Sequence, residues 1–336
     1  MNNLLSKKLP VSYIGILLII SCVLTYIITN KINKGETNNY SDESTINACN
    51  YNVKRLGGFN FIKPLMFVDD ECEGDNLAAT KQEVTNIINN YKSMQGVLDA
   101  SVYIRDYNKS SWTSINEDIQ YEPGSLFKVP ILIAYLKMDE LKPGTLDNEL
   151  DFNTPFAIDK NVAYKSKSIQ LGHKYKIREL LRYMIQYSDN NATALLNNNL
   201  KPEVLQRLFS DLNLEVPNIK AKHYYFTVRQ YSLFMRALYN ASYLSIEKSE
   251  FAAELLSKCE FNEGVVNGIP KDTKLIHKFG ESGTPAEKQL HESAIIYLNN
   301  NPFLITIMTK GKDNKTLSKL IGEITVVTYR NLAAQQ

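Results

Sequence analysis

The sequence predicts an α+β fold: one antiparallel sheet flanked by helices from the two ends of the chain, with an all-helical lobe beside it. Three observations predict it. Strand-like stretches come early, LDASVYIR (98–105) and SWTSIN (111–116), and return late, TKLIHKF (273–279), SAIIYL (293–298) and FLITIM (303–308). Residues of about 125–260, between the two groups, read as helical throughout. Helical patterns at 76–91 and at about 315–331 bracket the whole. Two strands, a helical block, three strands and a closing helix give a single sheet with the block as a second lobe. A cleft between lobes is the natural place for a site.

Taken in order, NLAATKQEVTNIINNY (76–91) has helical period, with Asn76 as its cap. The first two strands pair as a hairpin across DYNKS (106–110). Pro123 and Gly124 mark a turn, and Ser125 then reads as the first residue of a helix. That helix runs into VPILIAYL (129–136), which has no polar face and so belongs inside the protein. IRELLRYMIQY (177–187) is amphipathic, and PEVLQRLF (202–209) and VRQYSLFMRALY (228–239) are further helices. No internal repeat is visible.

The 336 residues suffice for one large domain or two modest ones. A hydrophobic content of 44% and a charged content of 22% are ordinary for a globular protein. A net charge of +2, with no basic stripe interleaved with aromatics, sets nucleic acid aside as a partner. The N-terminus differs from the rest. Residues 9–29 are 21 residues without a charge, flanked by Lys7 and Lys8 before and Lys31 and Lys34 after. That length spans a hydrocarbon core. Three readings are open: an uncleaved transmembrane anchor, a lipoprotein lipidated at Cys22, or a cleaved signal. The apolar run continues for seven residues past Cys22, which favours the anchor. All three place the bulk of the chain outside the cytoplasm. The expectation is a single-pass cell-membrane anchor with residues 1–8 cytoplasmic, although lysines at both ends leave orientation weakly marked. Residues 30–48 are a polar linker, 49–76 an N-terminal extension and 77–336 the main domain. Cys49 and Cys72 are placed to form a disulfide in an oxidising setting, leaving Cys259 as a lone buried thiol. The cysteine spacing fits no zinc pattern, and His173, His223, His277 and His291 are scattered, so neither metal nor cofactor is expected.

The chemistry starts at Ser125 and Lys128, three residues apart and on one helical face. A lysine at the mouth of an apolar run is desolvated, so its neutral form becomes accessible and takes up a proton. The plain alternative is a capping serine and a lysine that snorkels to water. Two further signals follow in order. YSDNNA (187–192) places Ser188 63 residues after Ser125, and HKFGES (277–282) places Lys278 90 residues later, at the end of a predicted strand. Singly, the first reads as a helix cap with polar loop residues and the second as edge-strand charge.

Together the three motifs resemble the superfamily of class A β-lactamases and penicillin-binding proteins, which are serine acyl-transfer enzymes. KIRELLRYMIQYSDNNATALL (176–196) is similar to the family's approach to its S-D-N motif, and HESAIIY (291–297) to the strand after its K-T-G strand. The likeness covers about residues 77–331 and implies the β-lactamase/transpeptidase-like fold. A serine hydroxyl needs a base in contact to become a nucleophile; Lys128 is that base, kept neutral by burial and by the second cation, Lys278. The helix start adds positive dipole where charge develops on oxygen. The resemblance implies an oxyanion hole from the backbone N–H groups of Ser125 and Glu281. It implies Ser188 as proton relay between Lys128 and the leaving nitrogen, Asn190 as holder of the substrate amide and of Lys128, and Asp189 as a structural carboxylate. Gly280 lets the strand edge approach the substrate backbone.

Two departures stand out. Class A β-lactamases carry a glutamate in an E-x-x-L-N loop that activates the deacylating water. Between Leu212 and Thr227 the only carboxylate is Glu215, followed by VPN in a segment too short for that loop, and it reads as a surface residue. Phe279 stands where the family has Thr or Ser to help bind a substrate carboxylate, and Glu281 adds negative charge nearby. The expectation is a membrane-anchored extracytoplasmic serine hydrolase. It works through a Ser125 acyl-enzyme on a β-lactam or cell-wall D-alanyl peptide, with slow deacylation. The alternative is a penicillin- or peptidoglycan-binding sensing module on the same fold that does not turn over.

Overall fold

The computed structural model describes residues 53–68, 72–94, 96–156, 162–164, 166–216, 224–299 and 301–335, together with Ser21, Val23 and Thr25. The chain divides into two units, residues 1–47 and 48–336. Of the first, the three described residues are helical. The apolar run at 9–29 otherwise lies outside the described residues, as do Cys22, Cys49 and His223. No helix among the described residues is long and apolar enough to cross a membrane.

The second unit begins with a hairpin of β1 (Val53–Arg55) and β2 (Leu65–Val68), then a short strand β3 (Cys72–Glu73). Helix α1 (Ala78–Met94) leads to β4 (Val97–Asp106) and β5 (Ser111–Ile115). Next come α2 (Lys128–Leu141), a small hairpin of β6 (Glu149–Phe152) and β7 (His173–Lys176), and five helices: α3 (Ile177–Gln186), α4 (Asn190–Asn199), α5 (Pro202–Asp211), α6 (Val228–Tyr239) and α7 (Ile246–Leu256). Strands β8 (Leu275–Gly283), β9 (Lys288–Leu298) and β10 (Asn301–Gly311) and helix α8 (Asn314–Ala333) close the chain.

The main sheet has the order β3-β5-β4-β10-β9-β8. Its five long strands pair antiparallel, and β3 adds a parallel edge to β5. The period of two in its strands sorts side chains into two cores. Val102, Ile104, Leu290, Ala294, Ile305 and Ile307 face one core, which α1 and α8 complete with Val84, Ile88, Leu320, Ile321 and Ile324. Tyr103, Ile295, Leu304 and Met308 face the other, built by α2 to α7. Both faces are covered, which is why AIIYL (294–298) of β9 and FLITIM (303–308) of β10 read as almost unbroken apolar runs.

The expected α+β architecture, with terminal helices on the sheet and a helical lobe beside it, is the one observed. Three details differ. The 125–260 block is interrupted by the β6–β7 hairpin, whose four-residue strands bury only Phe152 and Tyr175 and are too short to stand out by period. Ser125 does not open an α-helix: it lies in a 3₁₀ turn, Gly124–Phe127, that feeds α2. Asn76 likewise sits inside a 3₁₀ turn, Asp75–Leu77, ahead of α1.

Candidate active site

The turn that carries Ser125 is pressed against β8, backbone to backbone. A Cβ on Gly124, whose φ is +51°, would lie 2.2 Å from Glu281 O. A Cβ on Gly280 would lie 2.2 Å from Pro123 O and 2.7 Å from Leu126 N. Gly280 was expected to let the strand edge approach the substrate backbone. Its missing side chain also makes room for the Pro123–Leu126 turn. The Lys128 N–H donates to Ser125 O across this turn. In 3₁₀ geometry residues i and i+3 eclipse, so Ser125 and Lys128 share one face more closely than an α-helix would set them. The rest of α2 is buried on all sides, as its sequence predicts.

Ser188 sits at the junction of α3 and α4 with φ +53°, a left-handed conformation that costs a non-glycine residue energy and persists only where its surroundings impose it. Asp189 imposes it. Its carboxylate caps α4 by accepting the N–H groups of Asn191 (3.0 Å) and Ala192 (3.3 Å), and also accepts Ile169 N–H (2.9 Å) and Ser168 Oγ–H (2.7 Å). The structural role expected of Asp189 is the one seen.

Lys128 Nζ donates to Ser188 O at 2.5 Å, Ser188 Oγ at 3.1 Å and Asn190 Oδ1 at 2.8 Å. Lys278 Nζ donates to the same Ser188 Oγ at 2.9 Å and to Phe279 O at 2.9 Å. Lys128 is 3% exposed and Lys278 not at all, so neither snorkels to water. Burial, and then the charge of Lys278, drive the Lys128 ammonium well below the ordinary lysine value. Burial brings Lys278 down to about 8. Ser125 is half-buried, lines the same cleft and takes no side-chain hydrogen bond among the described residues. Ser125, Lys128, Asn190 and Glu281 thus line one cleft of 370 Å³, with Ser188 and Lys278 bonded behind Lys128.

Cleft residues that the motifs do not mark are Glu122, Phe127, Ile131, Val162, Thr193, Asn197 and Tyr224. Thr193 and Asn197 follow Asn190 at helical spacing, so that face was readable from the sequence. Tyr224, stacked on Phe127 with ring centroids 5.0 Å apart, had no local signal. Glu215 is exposed and does not line the cleft, as its sequence context predicts. Phe279 is 6% exposed, stacked on Phe261 at 4.2 Å and edge-on to Tyr164, with Lys278 Nζ 4.1 Å from its ring centre. Behind the turn, His291 Nε2–H donates to Glu122 O at 2.9 Å while its Nδ1 accepts Thr309 N–H at 3.1 Å, which fixes a neutral ring.

A sequence profile of the beta-lactamase enzyme family matches residues 79–332. The chain belongs to that family. Among solved structures it is similar to PBP-A in a mutant acyl-enzyme complex with penicillin G, at 19% identity over 77% of this chain and 97% of that one, with a TM-score of 0.64. A β-lactamase from Chitinophaga pinensis is 19% identical over 76% of this chain and 99% of its own, with a TM-score of 0.65. A class A β-lactamase from Mycobacterium abscessus is 18% identical over 75% and 99%, with a TM-score of 0.61. No curated protein sequence matches. Family and fold agree with the resemblance carried by the S-x-x-K, S-D-N and K-x-G motifs of this β-lactamase-family chain.

Proposed function

We propose that the protein is a serine hydrolase that forms an acyl-enzyme at Ser125. The observation that carries this reading is the network joining Lys128, Ser188, Asn190 and Lys278 one turn from a serine whose side chain takes no competing hydrogen bond among the described residues. With Lys128 neutral, two of its hydrogens serve Ser188 O and Asn190 Oδ1, and its lone pair is available. The amine swings from Ser188 Oγ to take the Ser125 proton as Oγ attacks the substrate carbonyl. The proton reaches the leaving nitrogen through Ser188 Oγ, which bridges the two lysines. The N–H groups of Ser125 and Glu281, on the packed turn and strand, hold the oxyanion; one such donor contributes about 3 kcal/mol.

Deacylation needs a base beside the ester. Glu215 is exposed and outside the cleft lining, which supports slow release of the acyl group. The substrate class is a β-lactam or a cell-wall D-alanyl peptide, and residues 9–29 anchor the enzyme with its catalytic domain outside the cell. The same position of Glu215, exposed and outside the cleft lining, favours a second reading, a penicillin- or peptidoglycan-sensing module that stays acylated. A fluorescent penicillin separates the two. An adduct on Ser125 that persists for hours and vanishes in Ser125→Ala supports sensing, whereas turnover of a chromogenic cephalosporin supports hydrolysis. No adduct under any condition overturns both.

A further inference from the structure

Helix α4 starts beside Ser188 and runs away from it. Asn190, its first residue, lines the cleft and spends Oδ1 on Lys128, which leaves its amide N–H groups for a substrate. Thr193 and Asn197 line the same cleft from the same helix. Spacings of three and seven residues set the three side chains in one stripe, with Asn197 two turns, about 10 Å, beyond Asn190. Thr193 Oγ1–H donates to Asp189 O at 2.6 Å, so its oxygen still has a lone pair with which to accept. Asn197 is exposed, and its side chain makes no hydrogen bond among the described residues. Ile131 and the stacked pair Phe127–Tyr224 give the cleft an apolar lining. None of these five residues beyond Asn190 is an acid or a base of the neutral range. Amide and hydroxyl groups for a main chain beside apolar surface for side chains make a peptide groove.

The chemistry fixes which part of a substrate lies there. The leaving nitrogen faces Ser188 Oγ, so the acyl part departs from the reacting carbonyl on the side away from Ser188, the direction in which α4 runs. We propose that Asn197 is a specificity-determining residue: with Thr193 it binds a main-chain amide of the acyl donor about three residues upstream of the one held by Asn190. An extended chain advances about 3.3 Å per residue, so three residues span the distance between the two asparagines. Ser125 therefore favours donors that carry an extended, uncharged peptide on the acyl side. This rests on the Ser125 acyl-enzyme reading and adds to it the length of acyl chain that the cleft reads.

The test uses the full chain and three mercaptoacetamide thioesters of N-acetylated alanine peptides, one, two and four residues long, each with D-alanine at the reacting carbonyl. Labelling of Ser125 is followed by the mass of the peptide that carries it. Two residues do not reach Asn197 and should label about as fast as one, whereas four should label at least about fivefold faster, the gain of one hydrogen bond. Asn197→Ala should cut the ratio of the four-residue to the one-residue rate by about the same fivefold. The position is exposed and alanine is the better helix former, so the variant keeps the fold. Equal labelling by the one- and four-residue donors overturns the proposal and leaves the acyl-enzyme reading standing. A length gain that survives in Asn197→Ala also overturns it, because the added residues then bind elsewhere. If no donor labels Ser125, the acyl-enzyme reading falls and this inference with it.

Discussion

A single amine carries the chemistry proposed for this chain. Lys128 is buried, faces a second buried lysine, and has acceptors already in place for its hydrogens. Replacing it by alanine should slow acylation of Ser125 by about a thousandfold, within the usual range for loss of a general base. Lys128→Arg should not rescue the rate, because a guanidinium does not give up its proton at accessible pH; Ser125 labelling by mass checks both. His291 makes a second claim at this scale. Burial holds its imidazole down at about 4 against an ordinary 6.5. Between those values the unfolded chain binds more protons than the folded one, so the stability from neutral His291 is full above 6.5 and lost as pH falls to about 4. The amount is about 3 kcal/mol. Urea midpoints measured from pH 7 to pH 4 should fall across that window, and His291→Gln should flatten the fall. The serine, both lysines and Asn190 were legible in the sequence because their chemistry is written in short motifs. Tyr224 and the His291–Glu122 bond were not, because each joins segments far apart in the chain.

The elements hold the site by close backbone contact rather than by large side chains. Gly280→Ala places a methyl group into Pro123 O and Leu126 N, both backbone atoms, so the turn itself must shift. It should lower stability by about 1–3 kcal/mol through overpacking, and it should slow Ser125 labelling by moving the turn away from β8. Thermal melts and labelling rates report the two effects separately. Helix α4 depends on Asp189, since NNATALLNNN is poor in helix formers and its first N–H groups meet that carboxylate. Asp189→Ala removes the cap together with the contacts to Ile169 and Ser168, and releases Ser188 from its left-handed backbone. Strands β9 and β10 were legible because long buried strands announce themselves. The β6–β7 hairpin was not, because its short strands alternate too few residues to set a period. Helix α4 falls inside the stretch read as helical throughout, and its start was marked only by the capping residues of YSDNNA, because its stability comes from a cap and from tertiary packing rather than from propensity.

At the scale of the molecule, two lobes meet along β8, and the site lies where the 3₁₀ turn before α2, the α3–α4 junction and β8 converge. The β1–β2 hairpin ties the far side of the second unit together. Arg55 Nη1 reaches Lys63 O and Asn240 Oδ1, and Glu250 accepts the N–H groups of Asn60, Phe61 and Ile62. Glu250→Ala leaves these donors to water. It should lower the melting temperature by about 2–4 °C for each kcal/mol lost, without changing the labelling of Ser125. The apolar run at 9–29 predicts that the full chain sediments with membranes and that removing those residues frees it; cell fractionation decides this.

The most direct measurement is the pH dependence of Ser125 acylation by an uncharged thioester, in the unmodified chain and in Lys128→Ala. The expected profile rises through one ionisation well below the ordinary lysine value of 10.5, and Lys128→Ala abolishes that rise. A rise that waits for 10.5, or a profile that survives intact in Lys128→Ala, would contradict the account of Lys128 as the neutral base beside Ser125.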